Sequence, residues 1–542
     1  MKSLRDLMWI LPSSLVLGLV LGLLDTETWW IGWLAYSVLL VLGLWALVSL
    51  WRSAEAGAEQ NRSQLRSLRS LGSQRLLGLL LILTVVLRMG LGMAFSAILP
   101  THGNPNNVQR RGYIFPDAYN RDIQAWQLAS SSTPLWRAFD KSYSTDQYGG
   151  LLFFSSLLYR YLSPDAHRPW LIILLGSLTA AIGVALAWNA AKKTWGKSMA
   201  AVVGWIMVLY PESILLGSSQ MREPFLITFV AMAFWGVVSW AENHRSAAGW
   251  LIGSLVGMLL FSPGIAVISI ILLAGWAWLR AKERRIRWQW IAGVGVIVLL
   301  SFLLLAWSVG GSLKVKSGPL ATLSTWMRFT VQFDSQKLEQ DSGWVQTIFS
   351  HVPFSLHMPM IIGYGVAQPV LPAAIGAPAV WPMWALAILR GIGWYALLPL
   401  LLYGIYPIWK MTDKRERLAW LWLWLVVWIW ILISAARAGG DQWDNPRYRA
   451  ILLIFEAILA AQVILVQQHS HERWLGRLLA IEAVFVVCFA VWTWTRKDVN
   501  GYLLPLNQAV AMFVGGSLLI LIGDWLWVKY GRKRIIKHEE KN

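Results

Sequence analysis

Runs of roughly 17–25 apolar residues recur along the whole chain and alternate with short polar segments. A run of that length crosses a bilayer core of about 30 Å as an α-helix. The pattern predicts about fourteen spans, at residues 8–24, 29–51, 76–98, 169–190, 198–215, 225–241, 247–262, 264–281, 288–309, 380–408, 418–436, 450–467, 475–495 and 508–530. The predicted fold class is an all-α polytopic membrane protein.

Composition agrees with the hydropathy pattern. The 542 residues are 57% hydrophobic and 14% charged, whereas soluble domains average about 45–50% apolar and about 25% charged residues. The only cysteine, Cys488, lies inside an apolar run. A single cysteine excludes an intramolecular disulfide and a site built from several thiolates.

The net charge of +19 suggests nucleic-acid binding at first sight. However, the Lys/Arg clusters fall in alternate short loops, which is the pattern of the positive-inside rule. With the N-terminus in the cytoplasm, nearly every cluster is inside, including "KERRIR" at 282–287 and "WKMTDKRER" at 409–417. We therefore expect both termini in the cytoplasm, contact with membrane lipids and no nucleic-acid partner.

The same alternation defines the expected domains and outer loops. Residues 1–75 form a two-span extension with a basic loop, and residues 76–309 form a membrane module whose first outer loop is 99–168. Residues 310–379 form a second outer segment, and residues 380–542 form a C-terminal membrane module with a basic tail. Residues 149–162 are too short to span and predict an interfacial helix.

Two carboxylates lie in the first outer loop, within "YIFPDAYNRDIQAWQLA". Asp117 precedes a helical pattern, so it is either a helix N-cap or a general base at the membrane surface. Tyr119, Ile123 and Trp126 are spaced as on one helix face. Asp122 points away from Asp117, and we interpret it as a solvated neighbour of Arg121 rather than as a second polar site residue.

Further charged residues are predicted at the outer ends of spans. "YPESILLGSSQMREP" carries Arg222 and Glu223, which either mark the start of a span or bind a phosphate. "DNPRYR" carries Arg447 and Arg449 outside, against the positive-inside rule, which favours anion binding.

Ionisable residues inside spans are costly and are functional candidates by default. Arg88, Arg390 and Glu456 lie farthest from the span ends. Arg390 and Glu456 are both in the outer portions of their spans, and we expect them to pair or to line one cavity.

Several chemistries are excluded by missing motifs. The sequence contains no phosphate-binding P-loop, no H-E-x-x-H motif and no Cys/His cluster at metal spacing. His351 and His357 lie near Asp334, Glu339 and Asp341. We interpret them as solvated loop residues in preference to a metal site.

An ordered set of segments carries a resemblance to a known family. "FPDAYNRDIQAWQLA", "LLYRYLSPDA", the basic turn "KKTWGK" and "YPESILLGSSQMREP" follow one another between residues 115 and 224, and "NPRYRAILLIFEAILAAQ" comes late in the chain. Together they resemble the GT-C membrane glycosyltransferases, specifically bacterial relatives of dolichyl-phosphate-mannose protein mannosyltransferases and of the lipid A aminoarabinose transferase.

The resemblance implies a sugar transferred with inversion from a polyprenyl-phosphate donor, at the outer face of a bacterial cytoplasmic (inner) membrane. The acceptor would be a lipid, a glycan or a protein. Asp117 would be the base, and Arg222, Arg447 and Arg449 would bind the donor phosphate. Additional substrate-site candidates are Tyr119, Asp122, Glu223, Arg390 and Glu456. No cofactor is implied, and the need for a divalent metal stays open.

This sequence departs from the family pattern at two points. "DQYGG" replaces the usual tandem prolines, and a lone Asp replaces an Asp-Glu pair. Two other functions fit the same topology. One is a polysaccharide polymerase or O-antigen ligase, which uses a polyprenyl-diphosphate glycan. The other is a non-catalytic membrane subunit or a transporter, although no internal repeat of the kind seen in transporters is evident.

Overall fold

The computed structural model describes residues 2–25, 28–56, 66–140, 143, 148–242, 244–281, 325, 353–376, 379–470, 472–495, 503–527 and 529. The predicted span 288–309 and His351, Asp334, Glu339 and Asp341 lie outside these residues. No β-strand occurs in the described ranges. The all-α class predicted from the sequence is confirmed.

The helices are named here in chain order. They are α1 (Lys2–Leu24), α2 (Trp29–Ala56), α3 (Arg66–His102), α4 (Asn107–Arg110), α5 (Pro116–Ser130), α6 (Gly150–Leu162), α7 (Pro169–Trp195), α8 (Lys197–Leu209), α9 (Pro211–Gly217), α10 (Glu223–Trp240), α11 (Ala247–Phe261), α12 (Pro263–Arg280), α13 (Phe354–Ala367), α14 (Leu371–Gly376), α15 (Trp381–Tyr403), α16 (Ile405–Trp409), α17 (Lys414–Ala438), α18 (Asp444–Arg449), α19 (Leu453–His469), α20 (Trp474–Thr495) and α21 (Leu506–Leu526). Short 3-10 helices occupy Leu135–Phe139 and Ala450–Leu452.

Eleven helical segments in the described part are long and apolar enough to cross a membrane, or twelve if the bent pair α8–α9 is one span. The protein is therefore a multi-pass membrane protein. The predicted count of fourteen is not confirmed, because α11 has only 15 residues and residues 288–309 are not described. α7, α10 and α19 are the most buried of these segments, whereas α20 and α21 lie at the edge.

Close helix packing depends on small residues at the crossing points. A Cβ added to Gly183 on α7 would lie 2.6 Å from Oγ1 of Thr228 on α10. The Thr228 hydroxyl donates to the carbonyl of Thr179 at 2.8 Å. Small residues let helix backbones approach closely where there is no water to drive association. This contact brings the start of α10 close to α7.

The predicted span 198–215 is interrupted in the structure. α8 ends at Leu209, α9 begins at Pro211, and their axes differ by 56°. Proline has no N–H, so the carbonyl four residues earlier, that of Met207, loses its helical partner. Since an unsatisfied carbonyl is costly inside a membrane, the break requires a donor from elsewhere.

Arg88 on α3 supplies that donor. Its Nη2 donates to the carbonyl of Met207 at 3.2 Å and to Oγ of Ser213 at 2.7 Å. The guanidinium is buried and also contacts α9 closely, because a Cβ on Gly217 would lie 2.6 Å from Cδ of Arg88. The presence of a buried arginine at position 88 is thus explained by the break between α8 and α9, whose backbone it satisfies. After this break the chain leads to residues 218–223.

The two ends of the helix bundle differ in character. One end carries the ion pairs Lys193–Glu242, Arg280–Glu416 and Lys410–Glu472. Lys193 and Lys410 belong to loops predicted to be basic, and we call this end the basic end. The opposite end carries the short helices α4, α5, α6, α9, α13, α14 and α18, and we call it the site end.

Two segments predicted to lie outside the membrane, 149–162 and 310–379, have described residues at the site end. A helix is predicted at 149–162 and is confirmed as α6, whereas its place at the membrane interface stays a prediction. The predicted outer segment 310–379 contains two helices in its described part, the apolar α13 and the short α14. α13 packs along the end of α17, since a Cβ on Gly365 would lie 2.8 Å from Cβ of Ala435.

Replacing Arg88 by methionine should destabilise the protein. Removing the donor leaves the buried Met207 carbonyl unsatisfied, which costs about 1–3 kcal/mol. The check is the thermal unfolding temperature in detergent, followed by tryptophan fluorescence. Arg75→Met, on the exposed side of the same helix, is the matched control and should have little effect. Equal unfolding temperatures for the two variants would contradict the role given to Arg88.

Candidate functional site

Asp117 lies in the first turn of α5. The helix starts with Phe115 in extended conformation as the N-cap and Pro116 at the first helical position, where a missing N–H costs nothing. Asp117 follows Pro116, so the prediction that it is the N-cap is wrong. Its carboxylate still benefits from the positive end of the helix dipole. The side chain is 53% exposed and is therefore accessible at the site end.

Arg447 on α18 holds the Asp117 carboxylate. Its Nη1 donates to Oδ2 of Asp117 at 3.0 Å and lies 3.4 Å from Oδ1 of Asp444, and its Nε lies 3.2 Å from Oε1 of Glu223. Only 5% of the Arg447 side chain is exposed. A buried guanidinium needs such partners, because desolvation otherwise disfavours its charge.

Arg222 joins the same group from the start of α10. Its Nε lies 4.0 Å from Oε1 of Glu223, and its guanidinium lies over the ring of Tyr148 at 5.3 Å. Glu223 is buried against both arginines. Among the described residues, Arg222 makes no hydrogen bond to a carboxylate.

We call these five residues the Arg447 cluster: Asp117, Arg222, Glu223, Asp444 and Arg447. Three chain segments far apart in sequence supply them, namely α5, the start of α10, and α18. Asp117 and Asp444 are the exposed members, at 53% and 39%. The carboxylates of Asp117 and Asp444 are therefore exposed at the surface of the site end, and the guanidinium of Arg447 is buried beneath them.

A second buried ion pair lies beside the cluster. Nε and Nη2 of Arg390 donate to the two carboxylate oxygens of Glu212 at 2.6 and 3.1 Å. The Arg390 guanidinium also lies over the ring of Trp443 at 4.5 Å. We expected Arg390 and Glu456 to pair or to line one cavity, and the pairing is wrong. The bend at Pro211 turns Glu212 toward α15, so Glu212 occupies that position.

Arg449 and Glu456 lie deeper in the bundle and do not contact the cluster. Nη2 of Arg449 donates to the carbonyl of Gln368 at 2.9 Å, and its guanidinium lies against the ring of Trp394. Glu456 is fully buried, and neither of its carboxylate oxygens accepts a hydrogen bond from a described residue. The structure brings Arg222 and Arg447 together with Asp117, but leaves Arg449 on the other side of α18.

Asp122 is 2% exposed, so the interpretation of a solvated acid is wrong. The side of α5 that faces the protein carries Ala118, Arg121, Asp122, Ala125, Leu128 and Ala129. Tyr119, Ile123 and Trp126, which were predicted to share one helix face, are half-buried beside it. The short alanines let α5 approach α6 closely, and this approach buries the acid.

Three side chains that the sequence analysis missed surround Asp122. The hydroxyls of Tyr113 and Tyr159 donate to its two oxygens, and Nε2 of His167 lies 2.8 Å from Oδ2. Burial and the adjacent Asp122 charge raise the pKa of both tyrosines, so their hydroxyls stay protonated as donors. We call these four residues the Asp122 network.

A small cavity of about 190 Å³ is lined by residues of α3 and α7 at the site end. Its wall includes Ser96, Arg111, Trp170 and Gln220. Tyr113 also lines the cavity, and Gln220 lies two residues before Arg222. The cavity therefore adjoins both the Asp122 network and the Arg447 cluster. The backbone of Gln220 is left-handed, with φ of 51°.

Metal binding finds no support in the described part of the chain, where no group of three or more His, Cys, Asp or Glu side chains has a suitable arrangement. Of the residues considered for a metal site, only His357 is described, on α13.

Comparison with known proteins adds no family assignment. No protein-family model matches this chain, and no curated protein matches its sequence. Function must therefore be argued from the geometry and from the ordered motifs.

The Glu212–Arg390 pair generates a stability prediction. Arg390→Met leaves the buried Glu212 carboxylate uncompensated and should cost about 3–5 kcal/mol. Adding Glu212→Leu removes that charge, so the double variant should recover part of the lost stability. A double-mutant cycle on unfolding in detergent measures this. Simple additivity of the two single effects would contradict the pairing.

Proposed function

We propose that the protein is a membrane glycosyltransferase that moves a sugar from a polyprenyl-phosphate donor to an acceptor hydroxyl at the site end. The main support is the contact between the exposed carboxylate of Asp117 and the buried guanidinium of Arg447, at 3.0 Å, with Arg222 close by. A base and cations side by side suit a reaction in which a hydroxyl loses a proton while a phosphate leaves.

In the proposed reaction the acceptor oxygen attacks the anomeric carbon of the sugar. The bond between that carbon and the phosphate oxygen breaks, and polyprenyl phosphate leaves with the electron pair. The acceptor proton passes to a carboxylate oxygen of Asp117. Attack opposite the leaving group inverts the anomeric configuration. Charge develops on the phosphate oxygens, where preorganised cations stabilise the transition state most.

Arg222 is the best candidate for the phosphate contact. Its guanidinium offers several N–H donors in a planar arrangement that suits phosphate oxygens. Arg447 is already surrounded by three carboxylates, so its task in this scheme is to orient Asp117. Oδ1 of Asp117 accepts no hydrogen bond from a described residue, which leaves that oxygen for the acceptor hydroxyl.

One observation favours a second candidate, a transferase or ligase that uses a diphosphate-linked glycan. The guanidiniums of Arg437 and Arg447 lie over the ring of Tyr448, at 4.5 and 5.0 Å. Arg437 adds a further cation at the site end, which would suit a second phosphate group. Binding of mono- and diphosphate lipids to the same purified protein distinguishes the two candidates.

Asp117→Asn should abolish transfer without affecting the fold, because an amide cannot accept the acceptor proton. The assay is release of polyprenyl phosphate from a panel of lipid-phosphate sugars, since that product is common to all of them. Asp140→Asn, an exposed acid in the same loop region, is the control. Full activity of the Asp117→Asn variant would refute the assignment of the base.

Arg222→Ala should weaken binding of polyprenyl monophosphate about tenfold or more, since hydrogen bonds to charged groups contribute about 1.5–3 kcal/mol. Binding is measured on the purified protein in detergent with the lipid phosphate and, separately, the lipid diphosphate. Arg137→Ala, which removes an exposed arginine near α5, is the matched control. Unchanged affinity in the Arg222 variant would exclude this arginine from the donor site.

A further inference from the structure

The Asp122 network joins four parts of the chain at one carboxylate. Asp122 lies on α5, Tyr113 precedes α5, Tyr159 lies on α6, and His167 precedes α7. Oδ1 accepts from Tyr159, and Oδ2 accepts from Tyr113 at 2.5 Å and contacts His167 at 2.8 Å. Both oxygens thus have partners inside the protein, and at 2% exposure the carboxylate is out of reach of a substrate.

Aromatic contacts enclose the same carboxylate. Trp126, one turn after Asp122, stacks on the imidazole of His167 with ring centres 5.4 Å apart. It also meets the ring of Tyr159 edge to face at 5.8 Å. Because these rings exclude water, the bonds to Asp122 are stronger than at an exposed site.

The segment that carries His167 is itself anchored. Both terminal nitrogens of Arg168 donate to Asp165 at 2.7 Å, and Nε of Arg168 lies 3.5 Å from Asp25 between α1 and α2. The hydrogen bonds from Arg168 lower the pKa of the Asp165 carboxyl, so this pair stays charged. His167 therefore reaches Asp122 from a fixed support.

Asp117 and Asp122 lie on different sides of α5. Five residues correspond to about 7.5 Å along the helix axis and to about 140° around it. Arg447 contacts one side of the helix and the Asp122 network contacts the other. The rotation of α5 about its own axis is therefore set by two polar contacts on different faces, and one of them sets the position of Asp117.

We propose that Asp122, held by Tyr113, Tyr159 and His167, is a positioning residue that sets the rotation of α5 and so keeps Asp117 beside Arg447. The consequence for catalysis rests on the proposed function, whereas the consequence for geometry does not. A carboxylate is required because two hydroxyl donors meet its two oxygens, with the His167 imidazole against Oδ2. An asparagine has one acceptor oxygen and would turn an N–H₂ group toward a donor.

The geometric test uses cysteines as reporters. Asp117 and Asp444 both contact Nη1 of Arg447, at 3.0 and 3.4 Å, so cysteines at 117 and 444 are within reach of a short bifunctional thiosulfonate. Glu223 stays beside Arg447 in this background, and the rotation of α5 then depends on the Asp122 network alone. The background carries Cys488→Ala, which removes the native thiol. Adding Asp122→Asn should slow cross-linking at least tenfold, whereas adding Asp140→Asn should leave the rate unchanged. An equal rate with and without Asp122→Asn overturns the proposal.

A second variant keeps the test decisive if Asp122→Asn does not fold. Tyr113→Phe removes one donor and keeps the ring, and it should also slow cross-linking. An unchanged rate in a folded Tyr113→Phe protein then overturns the proposal.

The activity test separates positioning from general loss of structure. With the native Asp117, Asp122→Asn should lower kcat at least tenfold while KM for the lipid donor stays near that of the wild type, in an assay run well below the unfolding temperature of the variant. Adding Tyr159→Phe should lower kcat little further, because both changes disrupt one network. A raised KM with unchanged kcat would argue against positioning. Absence of polyprenyl phosphate release from the wild type would refute the proposed function, and cross-linking would still decide the geometric claim.

Discussion

The buried guanidinium of Arg447 is the constraint on which the site end depends. A cation this far from water is stable only with carboxylates around it, and these come from α5, α10 and α18 itself. Asp117 and Arg447 are separated by 330 positions in the sequence. One electrostatic requirement therefore joins the first loop at the site end to the last third of the chain. The exposed carboxylate of Asp117 is held in place because the buried guanidinium of Arg447 beneath it needs negatively charged partners.

The backbone of α8 and α9 illustrates a second requirement of a membrane interior. A break at Pro211 is tolerated because Arg88 supplies the donor that the proline cannot. The break also turns Glu212 toward Arg390 and directs the chain into residues 218–223. Arg88 lies inside a span, where an ionisable residue is a functional candidate by default. Here it instead stabilises the backbone at the helix break, and the chain after that break leads to Arg222.

Sequence reasoning succeeded where the signal was local and failed where it depended on distant partners. Apolar runs predicted the membrane class, and the length of residues 149–162 predicted α6. The Asp122 network was missed because its tyrosines lie 9 and 37 residues from the acid, and no periodicity relates them. The Glu212–Arg390 pair was missed because a helix break, rather than helix periodicity, sets the direction of Glu212. Arg222 and Arg447 were placed with Asp117 because topology alone puts these loops at one end.

The Glu212–Arg390 pair also sets an order on the assembly of the protein during its synthesis. Arg390 is added 178 residues after Glu212, which takes on the order of 10–40 s at usual elongation rates. During that interval the Glu212 carboxylate on α9 has no Arg390 to pair with. Burying it in its ionised form is therefore costly. The first half of the bundle therefore lacks the cation that compensates Glu212 until α15 has been made.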